Sequence, residues 1–178
     1  TLVLGRRPYS DEVDMFSLIK DHCSFLVITS EAIANYLNAN CVFRDFTCKV
    51  LPDYRENPDF LPGLEANLSE SDIVIVKGRQ ELFVYQTLKA KWRYQFRLYI
   101  WVDNAAVFPF EHHVEARTIR NEITEYADGF LFAASHVKKS LIQEGIDENR
   151  IFDLPKHVLP LNDLRPSRDE ALKRFFLS

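Results

Sequence analysis

Short apolar runs alternate with segments of helical period along this chain of 178 residues. Leu2 to Leu4 is an apolar run that stops at Gly5, and Asp11 to Lys20 carries Val13, Phe16 and Ile19 at helical spacing. Phe25 to Ile28 is apolar again, Glu31 to Asn38 reads as a short helix, and Phe46 to Leu51 is a third strand stopped by Pro52. A polar, proline-bearing loop runs on to Gly63. The alternation then resumes with a strand at Ile73 to Val76, a helix near Gln80 to Trp92, and a strand at Leu98 to Val102. A long loop leads into a helix near Val114 to Tyr126. It is followed by a strand at Phe130 to Ala134, a helix at His136 to Glu144 and a strand at Ile151 to Leu154.

Several of the apolar runs are continuous rather than alternating. Such strands are buried on both faces, as in a parallel sheet covered by helices. Strands that alternate with helices form βαβ units. The pattern therefore predicts a doubly wound, Rossmann-like α/β domain with a parallel sheet of about seven strands. Residues 1–158 form that domain. Pro155, Pro160 and Pro166 then break up the chain, and residues 159–178 read as a linker and one terminal helix.

Composition narrows the class. Hydrophobic residues make up 47% of the chain, which places it among folded globular domains. Fourteen Phe and seven Tyr are more rings than one core readily hides, so some are expected at the surface or under a partner. The net charge of -4 argues against a general nucleic-acid binder. No apolar run is long enough to span a bilayer, and a cytoplasmic setting is expected. Cys23, Cys41 and Cys48 lack CxxC spacing and are expected as buried free thiols, with no zinc site. There is no GxSxG elbow, P-loop or HExxH.

Parallel sheets bind ligands at the carboxyl ends of their strands. The residues just past each apolar run are therefore the candidates. They are Gly5, Arg6 and Arg7; Lys77, Gly78, Arg79, Gln80 and Glu81; Asp103 and Asn104; Ser135 and His136; and Lys156 and His157. Gly5 stands alone, so the GxGxxG fingerprint of dinucleotide enzymes is absent, which counts against a dehydrogenase or an epimerase. Arg6 and Arg7 either bind a phosphate or carboxylate or form a solvated pair. Gly78 either brings helix-start N–H groups to an anion or serves a plain turn. Ser135 is placed to cap the following helix. Asp103 ends a central strand, where a carboxylate can orient a hydroxyl or take its proton; the alternative is a bond to a neighbouring loop. Glu111 and His112 stand at a helix start, and the adjacent His112 and His113 lack the i, i+4 spacing of a two-histidine metal site. A receiver-like signalling module would need an acidic cluster after the first strand. The basic Gly5-Arg6-Arg7 is the wrong charge, although the third strand does lead to Asp53.

The segment "YADGFLFAASHVKKSLIQEGIDENRIFDLPKHVL" resembles one found in retaining, two-domain glycosyltransferases of the GT-B architecture. The match lies in Ala127, Asp128, Ser135, Gly145, Arg150, Ile151 and Pro155. "SDIVIVKG" and "RLYIWVDN" look like the fourth and fifth strands of that family. The sequence departs from the family pattern in three places. "PKHVL" stands where Pro-Asn-Gly-Val-Asp is usual, Asp103 stands where many members have a His, and the Gly-rich loop after the first strand is reduced to Gly5 before Arg6 and Arg7.

The resemblance implies the acceptor-side, N-terminal half of an enzyme that moves a sugar from a nucleotide-sugar to an acceptor hydroxyl with retention. It implies a catalytic Asp103, and an acceptor side lined by Asn104, Glu111, His112, Lys77 and Arg79. Gly5, Arg6, Arg7, Ser135, Lys156 and His157 would line the cleft or meet phosphate. No cofactor or metal is expected in this half, and the nucleotide-sugar belongs to a C-terminal domain. The acceptor would be a glycan, a lipid-linked compound or a small molecule. The run "KAKWRYQFR" from Lys89 to Arg97 is either a peripheral membrane contact or a solvated helix end. A non-catalytic ligand-binding module of the same fold is the alternative.

Overall fold

The computed structural model describes residues 1–5, 24–39, 47–79, 81–103 and 114–154. Seven strands form one sheet: β1 Leu2–Leu4, β2 Leu26–Ser30, β3 Thr47–Leu51, β4 Ile73–Lys77, β5 Arg97–Val102, β6 Gly129–Phe132 and β7 Ile151–Asp153. Their order is β3-β2-β1-β4-β5-β6-β7 and every pairing is parallel. The predicted doubly wound parallel sheet is what the chain builds. The helices of the described residues are α1 Glu31–Ala39, α2 Leu82–Tyr94, α3 Val114–Tyr126 and α4 Ser135–Gln143. Strand order runs one way from β1 to β3 and the other way from β4 to β7. Right-handed crossovers therefore set α1 on the face opposite α2, α3 and α4.

The continuous apolar runs explain the two cores. Val3, Ile28, Val74, Val76, Leu98, Ile100, Phe130 and Phe132 point to one face, where Phe83, Val84 and Leu88 of α2 and Leu141 of α4 cover them. Leu2, Leu4, Val27, Trp101 and Leu131 form a smaller core on the other face. The long loop after β3 is pinned to α2 by one buried side chain. Gln86 accepts from Leu61 N at 3.0 Å and returns a bond to Leu61 O at 3.1 Å, so both halves of its amide are satisfied.

Element ends agree with the sequence pattern to within a few residues. Val114–Tyr126 and Leu2–Leu4 fall where they were expected, and α2 runs two residues further than predicted. Gln95 ends α2 in the left-handed region, with φ of 60°. The cysteine expectation needs a correction: Cys48 is exposed on the edge strand β3 instead of lying in a core. Cys23, Cys41, the helix expected at 11–20 and all residues from 155 to 178 lie outside the described residues.

Candidate functional site

The strand order reverses between β1 and β4, so the crevice of this sheet opens beyond Leu4 and Lys77. One row of residues in register crosses the sheet just inside that edge: Val50, Thr29, Leu4, Lys77, Trp101, Leu131 and Phe152. Lys77 is the single charge in the row. Its side chain is only 3% exposed, and its Nζ meets Oδ2 of Asp103 at 3.2 Å. The same ammonium lies 5.0 Å from the centre of the Trp101 ring, within reach of its negative π-face. Asp103 sits just past β5, on the same side of the sheet as Trp101, and is 41% exposed. The outcome is a carboxylate open to solvent and backed by a buried cation.

Gly78 follows with φ of +137°, a conformation that L side chains rarely adopt. A Cβ placed there would fall 2.4 Å from Oε2 of Glu81. That oxygen accepts the backbone N–H of Arg79 at 2.7 Å, and Glu81 is buried at the start of α2. The turn therefore brings one N–H, that of Arg79, to the chain's own Glu81 carboxylate, while the Gly78 N–H donates to Trp101 O at 3.1 Å. Arg79 turns away and grips Glu144 with both guanidinium nitrogens, one of them at 3.0 Å, where α4 ends. Gly5 makes a close approach of a different kind: a Cβ there would lie 2.3 Å from the buried ring of Phe83, so it lets α2 pack against the end of β1.

Ser135 also lies at this edge and is exposed, but it does not cap α4. Ala134 is the N-cap residue, no side chain closes that end, and Ser135 is already the first helical residue. A cap is found at α1 instead. There Ala32 N donates to Asp53 at 3.0 Å, and Ile33 N donates to Ser30 Oγ at 3.4 Å. Asp53 is thus a helix cap, which removes the one feature that pointed to a receiver. Arg6, Arg7, Asn104, Glu111, His112, Lys156 and His157 lie outside the described residues. Of the expected site residues, the structure brings together Lys77 and Asp103, with Gly5 and Gly78 just past β1 and β4.

Residues 127–154 carry a different set of bonds. Asp128 accepts from Leu98 N at 2.6 Å and from Lys91 Nζ, bridging the starts of β5 and β6. Burial pushes its carboxyl up, but the Lys91 and Leu98 hydrogen bonds and the charges of Lys91 and Arg97 outweigh that and hold it below the ordinary value. Arg150 donates to the carbonyls of Thr124 and Ala127 at the end of α3. It also stacks 5.7 Å from the centre of Phe130. Gly145 takes φ of +86° and stops α4, with Gly145 N bonded to Ile142 O and Ile146 N to Leu141 O, one residue past the helix expected at His136 to Glu144. The basic, aromatic run 89–97 ends α2 and opens β5, at the edge of the sheet opposite the crevice. Trp92 there is 51% exposed and meets Tyr126 edge to face at 5.7 Å.

Glu81, Glu144 and Trp101 had no role assigned from sequence. Glu81 had a signal, an acid just ahead of a helical run after a glycine. Glu144 and Trp101 had none, since their partners lie far off in sequence. Among the described residues no cluster of His, Cys, Asp or Glu could hold a metal ion, and no helix is long and apolar enough to cross a membrane.

No protein-family model matches the chain, and no curated protein matches it in sequence. Solved structures do match. HepE (Alr3699) of Anabaena, solved in complex with UDP, superposes with a TM-score of 0.66 at 12% identity over 97% of this chain and 47% of that one. UDP-N-acetylglucosamine 2-epimerase from Rickettsia bellii gives 0.65 at 17% identity, over 98% and 46%. The UDP-GlcNAc 2-epimerase from Methanocaldococcus jannaschii gives 0.58 at 15% identity, over 85% and 44%. The chain spans about half the length of each. It shares its fold with about half of each of these proteins. Two of these structures are 2-epimerases, so the fold itself does not separate epimerisation from transfer.

Proposed function

We propose that the chain is the acceptor-side half of a glycosyltransferase that moves a sugar from a nucleotide-sugar to an acceptor hydroxyl with retention. The single observation that carries the reading is the Lys77–Asp103 pair at the switch point. A half-open carboxylate there accepts hydrogen bonds from sugar or acceptor hydroxyls and holds them in one orientation, which lowers the entropic part of the barrier. The nucleotide-sugar would bind mainly to the other half of the enzyme. The glycine turn after β4 supports this division, because its Arg79 N–H is already taken by Glu81 and is not offered to a phosphate. The retaining outcome rests on the resemblance of residues 127–155 to that family.

Epimerisation of a nucleotide-sugar is the second reading, favoured by the likeness to two 2-epimerases. One experiment separates them. The full-length protein that carries this chain is incubated with UDP-glucose or UDP-N-acetylglucosamine and a panel of hydroxyl acceptors, and the products are followed by NMR. A new glycosidic bond, reduced by about 10²-fold in Asp103→Asn, supports transfer. Inversion at C2 of the sugar without an acceptor supports epimerisation and ends the first reading.

A further inference from the structure

We infer that Lys77 is a positioning residue. It fixes the Asp103 carboxylate for neutral hydroxyl donors and takes no anion from the ligand itself. The inference rests on the glycosyl-transfer reading and names the acceptor class for it.

Four observations lead there. Lys77 is 3% exposed while Asp103 is 41% exposed, so a ligand entering the crevice touches the carboxylate first. The ammonium is already engaged, by Asp103 at 3.2 Å and by the Trp101 ring at 5.0 Å. Lys77 is also the one charge in a row whose other members are Val50, Thr29, Leu4, Trp101, Leu131 and Phe152. Such a charge is costly to bury unless a partner answers it. Arg79, two residues past Lys77, is spent on Glu144, and the buried Glu81 carboxylate is already taken by the Arg79 N–H. Beside the pair, what the described residues offer a ligand is therefore the open carboxylate of Asp103, an acceptor of hydrogen bonds. A hydroxyl-rich neutral compound satisfies it, whereas a phosphate or carboxylate would face like charge.

The test uses Lys77→Met, Asp103→Asn and the double variant of the full-length protein. Each is assayed with matched acceptors, glucose against glucose 6-phosphate and glucuronate. If Lys77 acts through Asp103, Lys77→Met lowers kcat with glucose by about 10²-fold, far more than it raises KM. Asp103→Asn does the same, and the double variant is no worse than the poorer single one. Asp103→Asn also narrows the wild-type preference for the neutral acceptor. Selective loss of the anionic acceptors in Lys77→Met overturns the inference, and so do losses that add in the double variant. Lys77→Arg keeps the charge and serves if the Met variant does not fold; it is expected to retain the neutral preference, and loss of that preference sinks the idea. A wild-type protein that transfers to no acceptor ends the glycosyl-transfer reading. The pairing is then judged by denaturant unfolding of the same variants, where additive effects of Lys77→Met and Asp103→Asn count against it.

Discussion

Asp128, Gly145 and Arg150, in the stretch from Ala127 to Leu154, serve the backbone. Asp128 receives the N–H of Leu98, Arg150 answers the last carbonyls of α3, and Gly145 closes the end of α4. Asp128 also pairs with Lys91, but at Lys77 and Asp103 the side-chain pair has one buried member and one open member and lies at the crevice. The first region is the one whose residue types and spacings resemble a known family. The second departs from that family at Asp103. The comparison teaches that the most legible run of this sequence is scaffold. Its side chains answer backbone groups, which must be paired wherever they are buried. The proposed chemistry lies where the pattern is thinnest.

The comparison can be broken at either region, and Gly78→Ala should have the largest effect. The new methyl meets Glu81 and Val84, and the residue is held at a φ that suits glycine. A loss of about 3 kcal/mol is expected in denaturant unfolding. A variant as stable as wild type would mean that the turn is loose. Arg150→Ala comes next, at about 2 kcal/mol, because two carbonyls at the end of α3 lose a charged donor. Transfer per folded molecule should stay at the wild-type level. A fall in activity with unchanged stability would move Arg150 from scaffold to site.

Asp128→Asn is smaller, about 1 kcal/mol, because the carboxylate is partly exposed and screened. Its sign depends on pH. The folded pKa lies below the unfolded one, so the carboxylate's contribution is complete above about 3.9 and is lost as pH falls through the folded value. Wild type and Asp128→Asn should therefore differ at pH 7 and converge in acid, and parallel stability curves would count against the bond. Trp92→Ala should be the mildest, about 0.5 kcal/mol, since its ring is half exposed and has an edge contact with Tyr126.

How far the sequence could be read follows from the range of the interactions. The strands were legible because Ile73-Val74-Ile75-Val76 and Leu98-Tyr99-Ile100-Trp101-Val102 are local runs that only a buried parallel sheet explains. Gly145 was legible because helix termination is local too. Asp103 was legible as the first polar residue past a central strand. Its partner was not, because nothing near Asp103 in sequence says that a lysine two dozen residues earlier is buried beside it. Ser135 shows the opposite error: it has the right type and place for a cap, but the chain enters α4 one residue earlier. The turn at Gly78 stayed open between an anion site and a plain turn, because three residues of local sequence do not reveal that Glu81 folds back into it.

The seam between β1 and β4 has one more consequence, for the order of assembly. β1 pairs with β2 across about two dozen residues, and β4 with β5 across a similar span, yet Leu2 aligns with Ile75 and Thr1 O accepts from Ile75 N. Joining the two sides closes the longest loop in the sheet, and long-range closures of this kind are slow. The left and right sides can each form from near neighbours before they dock. The crevice belongs to neither of them. A chain still growing past Asp103 holds every residue of the Lys77–Asp103 pair, and it acquires the groove beside that pair only when its first strand returns to meet its fourth.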